Sequence, residues 1–377
     1  VQFSTDDKYL IAKALTDIGI DYIEGGWPGA NPTDEQFFST AISNGVENLT
    51  AFGMTKRAGV SVENDSVLSA VVNAGTSSVC LVGKSSDYHV INALNISLDE
   101  NTSNIEKTIS HVKLLKREVI FDAEHFFDGF KSNPEYALET VNTALSSGAR
   151  WAVLCDTNGG TLPEEINKII SLVIDSGISS EKLGIHCHND TGNAVANTLA
   201  AINAGVRHVQ GTLNGLGERC GNADLVTLIP TLILKEPYSK YLSLSVSKEN
   251  LGLITRISRL VDDLLNRIPN NTAPYVGASA FAHKGGLHAS AVMKNPSTYE
   301  HIEPKLVGNR RIIPMSNQAG KSNLISRLKD AGIKIDSNDP KLLEILSEIK
   351  AREDKGFSYD LAGASFELLA HKIIGSL

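Results

Sequence analysis

Short apolar runs alternate with longer stretches of helical periodicity over residues 1–235. The runs are rich in β-branched residues and almost continuously apolar, which is typical of strands buried on both faces of a parallel sheet. Between them, amphipathic stretches such as Asp6–Ile18 and Thr191–Ala204 predict helices, several of which end at a glycine. The predicted strands are Asp21–Gly26, Leu49–Met54, Ser78–Gly83, Glu118–Glu124, Trp151–Asp156, Gly184–His188 and His208–Leu213.

This alternation favours an α/β fold of the (β/α)8 TIM-barrel type. The pattern shows seven strands and starts on a helix, so we expect the first strand of an eight-stranded barrel to be missing from this chain. A doubly wound open sheet is the alternative, but no glycine-rich GxGxxG turn follows a first strand.

The pattern changes after Lys235 to helices and one long loop. Lys248–Ile268 predicts a single amphipathic helix, and Asn270–Arg311 is a Gly- and Pro-rich loop of a length that is usually functional. Further helices are predicted at Lys321–Asp330, Pro340–Arg352 and Ala364–Ile374. We therefore expect a TIM-barrel catalytic domain at 1–235, a helical linker and subdomain at 236–310, and a second, mainly helical subdomain at 311–377.

Composition narrows the class of protein. The 377 residues include 35 Lys and Arg against 43 Asp and Glu, which gives a net charge of −8 and a pI of about 5.7. This sign disfavours nucleic acid and anionic membranes as partners. The apolar run Leu225–Leu234 is too short to span a bilayer, and no signal-peptide pattern opens the chain. Four isolated cysteines indicate a reducing compartment, so we expect a cytoplasmic protein.

Polar side chains lie where the predicted strands end, which is where barrel enzymes hold their reactive groups. His186 and His188 stand two apart on one strand, so both face the same side and form a ready pair of metal ligands. The structural alternative is a hydrogen-bonded histidine pair beside an Asp. The other polar strand ends are Glu24, Lys84, Glu124 with His125, and Asp156 with Thr157.

The last predicted strand continues into a glycine-rich loop, GTLNGLGERCGNADL. Gly215, Gly217 and Gly221 allow backbone conformations that other residues avoid, and the loop also contains Glu218, Arg219 and Asn222. Loops after the last strands of a barrel commonly bind phosphate, which predicts a phosphate-bearing cosubstrate here. The alternative is a tight turn with a Glu218–Arg219 surface pair.

Two of these segments carry a resemblance. HCHNDTGNAVAN and GLGERCGN together resemble the second signature of the 2-isopropylmalate, homocitrate and citramalate synthase family. Further blocks, over nearly the whole chain, are similar to the citramalate synthase branch; they are IEGGWPGANP, VGKSSDYHV, FDAEHFFDGFKSNPEYAL, LCDTNGGTLP, AHKGGLHASAV and TYEHIEPKLVGNRR.

The resemblance implies a homodimeric acyltransferase of isoleucine biosynthesis that condenses acetyl-CoA with pyruvate, giving (R)-citramalate and CoA. It implies a divalent metal (Zn, Mn or Mg) on His186 and His188, with Asn222 completing or supporting the ligand sphere. His288 and Tyr299 match the family's base and its partner, and Glu124 and Thr157 face the oxo acid. Glu24, Lys84 and His89 are further expected substrate contacts. The expected CoA-phosphate loop comprises Gly215, Gly217, Glu218, Arg219 and Gly221.

The family's first signature, LRDGxQ, is absent from the chain, although Lys8 matches the lysine that follows it. That signature supplies an Arg for the oxo acid and an Asp for the metal. We therefore expect a fragment of a longer enzyme, cut at both ends and inactive alone. The alternatives are 2-isopropylmalate synthase of leucine biosynthesis, a non-catalytic regulatory subunit that truly starts at Val1, and a related metal-dependent lyase. The segment with His288 and Tyr299 speaks against the lyase.

Overall fold

The computed structural model describes residues 2–315, 319–359 and 362–375. Residues 1, 316–318, 360–361 and 376–377, which the predicted domains include, lie outside the described residues. The chain divides into two compact units, one of residues 1–250 and 256–268, the other of residues 251–255 and 269–377. The finer division predicted at residues 235 and 310 remains a prediction.

The first unit is built on one parallel sheet whose strands follow one another in chain order. Three strands have the predicted bounds, and the others differ only at their ends. The strands are β1 (Ile23–Gly26), β2 (Leu49–Met54), β3 (Ser78–Lys84), β4 (Glu118–Glu124), β5 (Trp151–Asp156), β6 (Leu183–Cys187) and β7 (His208–Gln210).

The sheet curls until its two outermost strands approach each other. Nε2 of Gln210 on β7 lies 3.5 Å from Oε1 of Glu24 on β1, and the rings of Tyr22 and His208 meet edge to face at 5.5 Å. Among the described residues β1 and β7 are not paired with each other, and a cavity of about 920 Å³ is lined by both strands. Sequential strand order and curling are those of the predicted barrel, so the doubly wound alternative is wrong.

Helices connect the strands and continue into the second unit. They are α1 (Thr5–Ile18), α2 (Pro32–Ser43), α3 (Ser66–Val72), α4 (Asp87–His89), α5 (Leu98–Leu114), α6 (Phe126–Ser132), α7 (Pro134–Ser146), α8 (Pro163–Asp175), α9 (Ala194–Ala204), α10 (Leu225–Leu234), α11 (Tyr238–Tyr241), α12 (Ile254–Leu264), α13 (Gly286–Lys294), α14 (Lys321–Asp330), α15 (Lys341–Asp354) and α16 (Gly363–Ile374). No helix among the described residues is long and apolar enough to cross a membrane.

Alternate residues of each strand face two different cores. Val79, Leu81 and Phe121 point outward and pack in the main cluster between sheet and helices. Their neighbours Cys80 and Ile120 point inward and belong to a small cluster inside the barrel, together with Trp151, Val153 and Cys155. Because both faces are covered, these strands are apolar almost throughout, which is why the sequence pattern located them.

The predicted helix at Lys248–Ile268 is shorter in the structure. A 3-10 turn at Asn250–Leu253 precedes α12, which ends at Leu264. The Asn250 side-chain amide donates to the carbonyl oxygen of Asp17 at the end of α1 (3.2 Å), so this residue is held by α1 and not by helical geometry.

The second unit is helical and has a core of its own. Helices α14, α15 and α16 share an apolar cluster that includes Leu324, Leu342, Ile345 and Phe366. The stretch predicted as the loop Asn270–Arg311 contains α13 and two 3-10 turns. The mainly helical character predicted for this part of the chain is confirmed.

His208 is buried in the barrel interior. Its residue surface is 8% exposed, its ring stacks on Trp151 at 5.2 Å, and its buried Nε2 has no hydrogen-bond partner among the described residues. Burial lowers the pKa of His208 to about 4, and the positive charge of Arg150 adds to this effect.

This burial predicts an acid-sensitive fold. An unfolded chain takes up a proton at this histidine near pH 6.5, whereas the native chain does so only near pH 4. Between these values the unfolded state binds the extra proton, so the free energy of unfolding falls as the pH falls, by up to about 1.4 kcal/mol per pH unit for this one group. His208→Phe should flatten that slope in urea titrations from pH 7 to pH 4. The same substitution at the half-exposed His111 should not, and equal slopes in the two variants would contradict the assignment.

Candidate active site

The parallel register brings the carboxyl ends of the strands to one edge. Lys84 at the end of β3 pairs directly with Glu124 at the end of β4, and Asp156 at the end of β5 pairs with Cys187 at the end of β6. Residues that follow these ends, such as Thr157 and His188, lie at the same level. The structure thus gathers the predicted polar strand ends of the first unit at one mouth of the barrel.

The paired histidines face the barrel interior as predicted. Their ring centroids lie 5.1 Å apart, whereas Cys187 between them points outward into the main core. An isolated antiparallel bridge joins His188 to Asn222, which brings the Asn222 amide nitrogen to 3.0 Å from Nε2 of His186. Two imidazoles and one amide, drawn from two loops and a strand, therefore lie close together.

The burial and the lowered pKa of His188 are those expected of a metal ligand. Its Nδ1 is buried and has no hydrogen-bond partner among the described residues. Burial lowers its pKa to about 4, with further lowering from His186 and Arg219. A neutral imidazole with an unused nitrogen is the form that binds a divalent metal, and an unsatisfied buried nitrogen is costly without such a partner.

A layer of acidic groups lies below the histidines, and the sequence pattern did not single most of it out. Side-chain ligand atoms of Glu24, Cys80 and Asp122 lie within 4.8 Å of one another. Burial and the neighbouring Asp122 raise the pKa of Glu24 to about 8, and burial also raises the pKa of Asp122. Glu24 has accessible surface, but that surface faces the cavity lined by β1 and β7. Glu24 was predicted as a site residue; Cys80 and Asp122 were not.

Glu124 sits in a charged cluster at the mouth. Nζ of Lys84 lies 2.5 Å from its Oε2. The next residue, His125, has a left-handed backbone (φ 58°) that non-glycine residues rarely adopt. Its backbone N–H donates to Oγ1 of Thr157 (2.8 Å), and its ring stacks on His89 at 3.6 Å. The structure therefore brings together four predicted residues, with His125 as the link between them.

The glycine-rich loop is held by a guanidinium. Arg219 donates to both carboxylate oxygens of Asp190 at 2.9 Å and to the carbonyl oxygen of Thr157 at 2.7 Å. It also contacts Glu218 at 2.9 Å, which is the surface pair of the structural alternative. Arg219 thus ties the loops that follow β5, β6 and β7 into one rim.

His288 and Tyr299 lie in the second unit and contact each other. Their ring centroids are 4.2 Å apart, and both residues are exposed. Nearby, the buried Glu300 carboxylate accepts from Nε and Nη2 of Arg311, both at 2.6 Å, and lies 3.1 Å from Nε2 of His283. This buried ion pair anchors the segment that carries Tyr299.

Two family models match the chain. Residues 1–261 match the model described as HMGL-like, and residues 275–356 match the model described as homocitrate synthase post-HMGL domain-like. The second match covers the segment that contains His288 and Tyr299.

The sequence identity to individual relatives differs between enzyme classes. An (R)-citramalate synthase of Aquifex aeolicus is 49% identical over all of this chain and 70% of its own length. A 2-isopropylmalate synthase of Lactococcus lactis is 34% identical over 91% of this chain and 66% of its own length. A hydroxymethylglutaryl-CoA lyase structure from Pseudomonas aeruginosa superposes with a TM-score of 0.58 at 16% identity, over 71% of this chain and 89% of that one. At that identity the likeness shows the fold alone.

The glycine-rich loop that follows β7, called the rim loop below, requires glycine at position 221. Gly221 has φ +85°, and a Cβ there would lie 1.9 Å from the carbonyl oxygen of Gly215. That same oxygen accepts from the backbone N–H of Asn222 (3.2 Å). Gly221→Ala should therefore lower the free energy of unfolding by about 1–3 kcal/mol and displace Asn222. Gly160→Ala is the control, since no atom lies within 4 Å of its added Cβ. Equal urea midpoints for the two variants would contradict this account.

Proposed function

Because the chain belongs to the HMGL-like family, and within it to the (R)-citramalate synthase branch, we propose that it condenses acetyl-CoA with pyruvate. The products are (R)-citramalate and CoA. The observation that carries the proposal is identity of 45–49% to several (R)-citramalate synthases, against 34% to a 2-isopropylmalate synthase. The match to a synthase-type domain after the barrel supports condensation over the lyase alternative.

The metal site proposed for this reaction consists of His186, His188 and Asn222. The orphaned Nδ1 of His188 and the convergence of the three side chains support it. A divalent metal bound there supplies Lewis acidity that polarises the carbonyl of a 2-oxo acid. Neutral imidazoles and an amide oxygen suit Zn, Mn or Mg, so the identity of the metal is left to experiment.

The mouth of the barrel is where pyruvate would bind. Lys84 supplies a positive charge for a carboxylate substrate, and its contact with Glu124 holds both groups in one place. Thr157 is positioned through the backbone N–H of His125, and His89 lies under the same cluster through its stack on His125. Glu24 lies deeper, in the cavity. These residues would orient the oxo acid and hold water away from the carbonyl.

His288 and Tyr299 are proposed as the base and its partner. The base removes a proton from the methyl group of acetyl-CoA, and the resulting enolate carbon attacks the pyruvate carbonyl carbon. As the new carbon–carbon bond forms, the carbonyl π bond opens, and the alkoxide oxygen takes up a proton to give the alcohol. Water then cleaves the thioester, which releases CoA and makes the condensation irreversible. The ring contact between the two residues supports their acting together.

The rim loop is proposed as the CoA-phosphate site. Gly215 and Gly221 have positive φ values, and Gly217 lies so close to Asn222 that a Cβ would meet Oδ1 at 2.0 Å. Such glycine-rich backbone can approach phosphate closely, while Glu218 and Arg219 hold the rim. We also propose a homodimer and a cytoplasmic location, and the four cysteines, all free, fit a reducing compartment.

Substrate size is the first test. Pyruvate should give a higher kcat/KM than 2-oxoisovalerate in the release of CoA from acetyl-CoA. Each extra carbon in a fitted pocket changes the difference in transition-state binding free energy between two substrates by only about 1–3 kcal/mol. The preference for pyruvate should therefore be partial, with measurable turnover of the larger oxo acid. A higher kcat/KM for 2-oxoisovalerate would replace the proposal by 2-isopropylmalate synthase. No turnover of either oxo acid by the complete protein would favour the non-catalytic subunit.

Metal content is the second test. In the complete protein, His188→Ala removes a ligand whose Nδ1 has no hydrogen-bond partner among the described residues, so bound metal measured by elemental analysis should fall by most of its wild-type value, and activity with it. His208→Ala is a suitable control because it also removes a buried histidine with an unused nitrogen, at the opposite end of the strands. Unchanged metal content in His188→Ala would contradict the site.

A further inference from the structure

One inward side chain of β7 contacts both the histidines and the acidic layer below them. Gln210 places its Oε1 2.8 Å from Nδ1 of His186. Its Nε2 lies 2.9 Å from Oδ1 of Asp122 and 3.5 Å from Oε1 of Glu24. The amide therefore sits between the upper and the lower layer of the barrel interior, in contact with each.

The chemistry of an amide makes this contact directional. The NH₂ group can only donate and the oxygen can only accept. The amide nitrogen of Gln210 donates to Oδ1 of Asp122, and its amide oxygen faces His186. An oxygen at 2.8 Å from Nδ1 requires a proton on that nitrogen. Nε2 of His186 is then left unprotonated.

The other side of the imidazole agrees with this assignment. The nearest group to Nε2 of His186 is the Asn222 amide nitrogen at 3.0 Å, which is a donor. An unprotonated Nε2 accepts that hydrogen bond, whereas a protonated one would repel the donor. A metal bound at Nε2 would replace this hydrogen bond, and the Asn222 amide would then turn its oxygen toward the metal. Both neighbours of His186 thus demand the same tautomer. His188 has no such support, since its Nδ1 lacks a partner among the described residues.

We propose that Gln210 is a positioning residue that holds His186 in the Nδ1–H tautomer and presents its Nε2 to the metal. The proposal rests on the proposed function only in placing the metal at His186 and His188. Ligating histidines usually donate their second N–H to an oxygen that sets the ring orientation and raises the basicity of the ligating nitrogen. Here the hydrogen bonds run from His186 to Gln210 and from Gln210 to Asp122, so each one polarises the next.

An amide suits this position better than a carboxylate would. Glu24 and Asp122 already lie within reach of the Gln210 side chain. A third buried carboxylate would add repulsion and a further desolvation cost. A neutral amide accepts a hydrogen bond from His186 and donates one to Asp122 without adding a charge.

Gln210→Met tests the proposal, because methionine has a similar length and volume but cannot accept this hydrogen bond. The probes are Mn²⁺ alone, with affinity from the free-ion EPR signal, and the tautomer of His186 from ¹⁵N NMR of histidine-labelled protein. The His186 signals are identified by their loss in His186→Gln. Gln210→Met should weaken Mn²⁺ binding about 10–100-fold and populate the Nε2–H tautomer. Gln36→Met is the matched control, since Gln36 is exposed on α2, and should change neither readout.

A second variant separates positioning from packing. Gln210→Glu keeps an acceptor for His186 but loses the donor to Asp122, so it should retain the Nδ1–H tautomer that Gln210→Met loses. The wild-type spectrum is itself a test, because an Nε2–H tautomer of His186 in the unsubstituted protein would overturn the proposal. So would a folded Gln210→Met with unchanged tautomer and affinity. If the complete protein passes these tests but forms no citramalate, the proposed function is refuted and the role of Gln210 remains.

Discussion

The parallel register of the seven strands is the constraint on which the rest of the first unit depends. Residue pairs such as Lys84 with Glu124, and Gly184 with His208, set every inward side chain at a defined level. A slip of one residue would turn the inward side chains of a strand outward. The register is held because both faces are buried, with Leu81 in the outer cluster and Cys80 in the inner one.

That register produces three levels with different chemistry. Aromatic and apolar groups around Trp151 and His208 close the amino-terminal level. Acids with raised pKa values form the middle level: the buried Asp122, and Glu24, whose surface faces the cavity lined by β1 and β7. Imidazoles form the upper level, of which His188 has a lowered pKa. Burial is the largest cause of all three pKa shifts, and in each case it disfavours the charged form of the side chain.

The sequence allowed the strands and the shared face of the two histidines to be predicted, and the reasons are local. A short, almost continuously apolar run such as Ser78–Gly83 has the length and composition of a buried strand. His186 and His188 share a face by strand geometry alone. Asp122 and Gln210 could not be found in this way. When both faces of a strand are buried, nothing in the pattern tells which face lines the barrel interior, and the partners of these residues come from other strands.

The end of β7 shows a second limit. The run was predicted to extend to Leu213, but the strand ends at Gln210. A Cβ at Gly211 would lie 2.6 Å from the carbonyl oxygen of Ala223, and that oxygen accepts from the backbone N–H of Thr212. The rim loop folds back against the strand at this point. Such a contact depends on residues far along the chain and leaves no local periodicity.

The location of bound metal tests the account most directly. Anomalous diffraction from crystals soaked in Mn²⁺ distinguishes two clusters of ligand-type atoms among the described residues of the first unit. The account predicts a single strong peak among His186, His188 and Asn222, within coordination distance of both imidazoles. A peak instead among Glu24, Cys80 and Asp122 would contradict it, because the acidic layer would then be the metal site and the histidines above it would not.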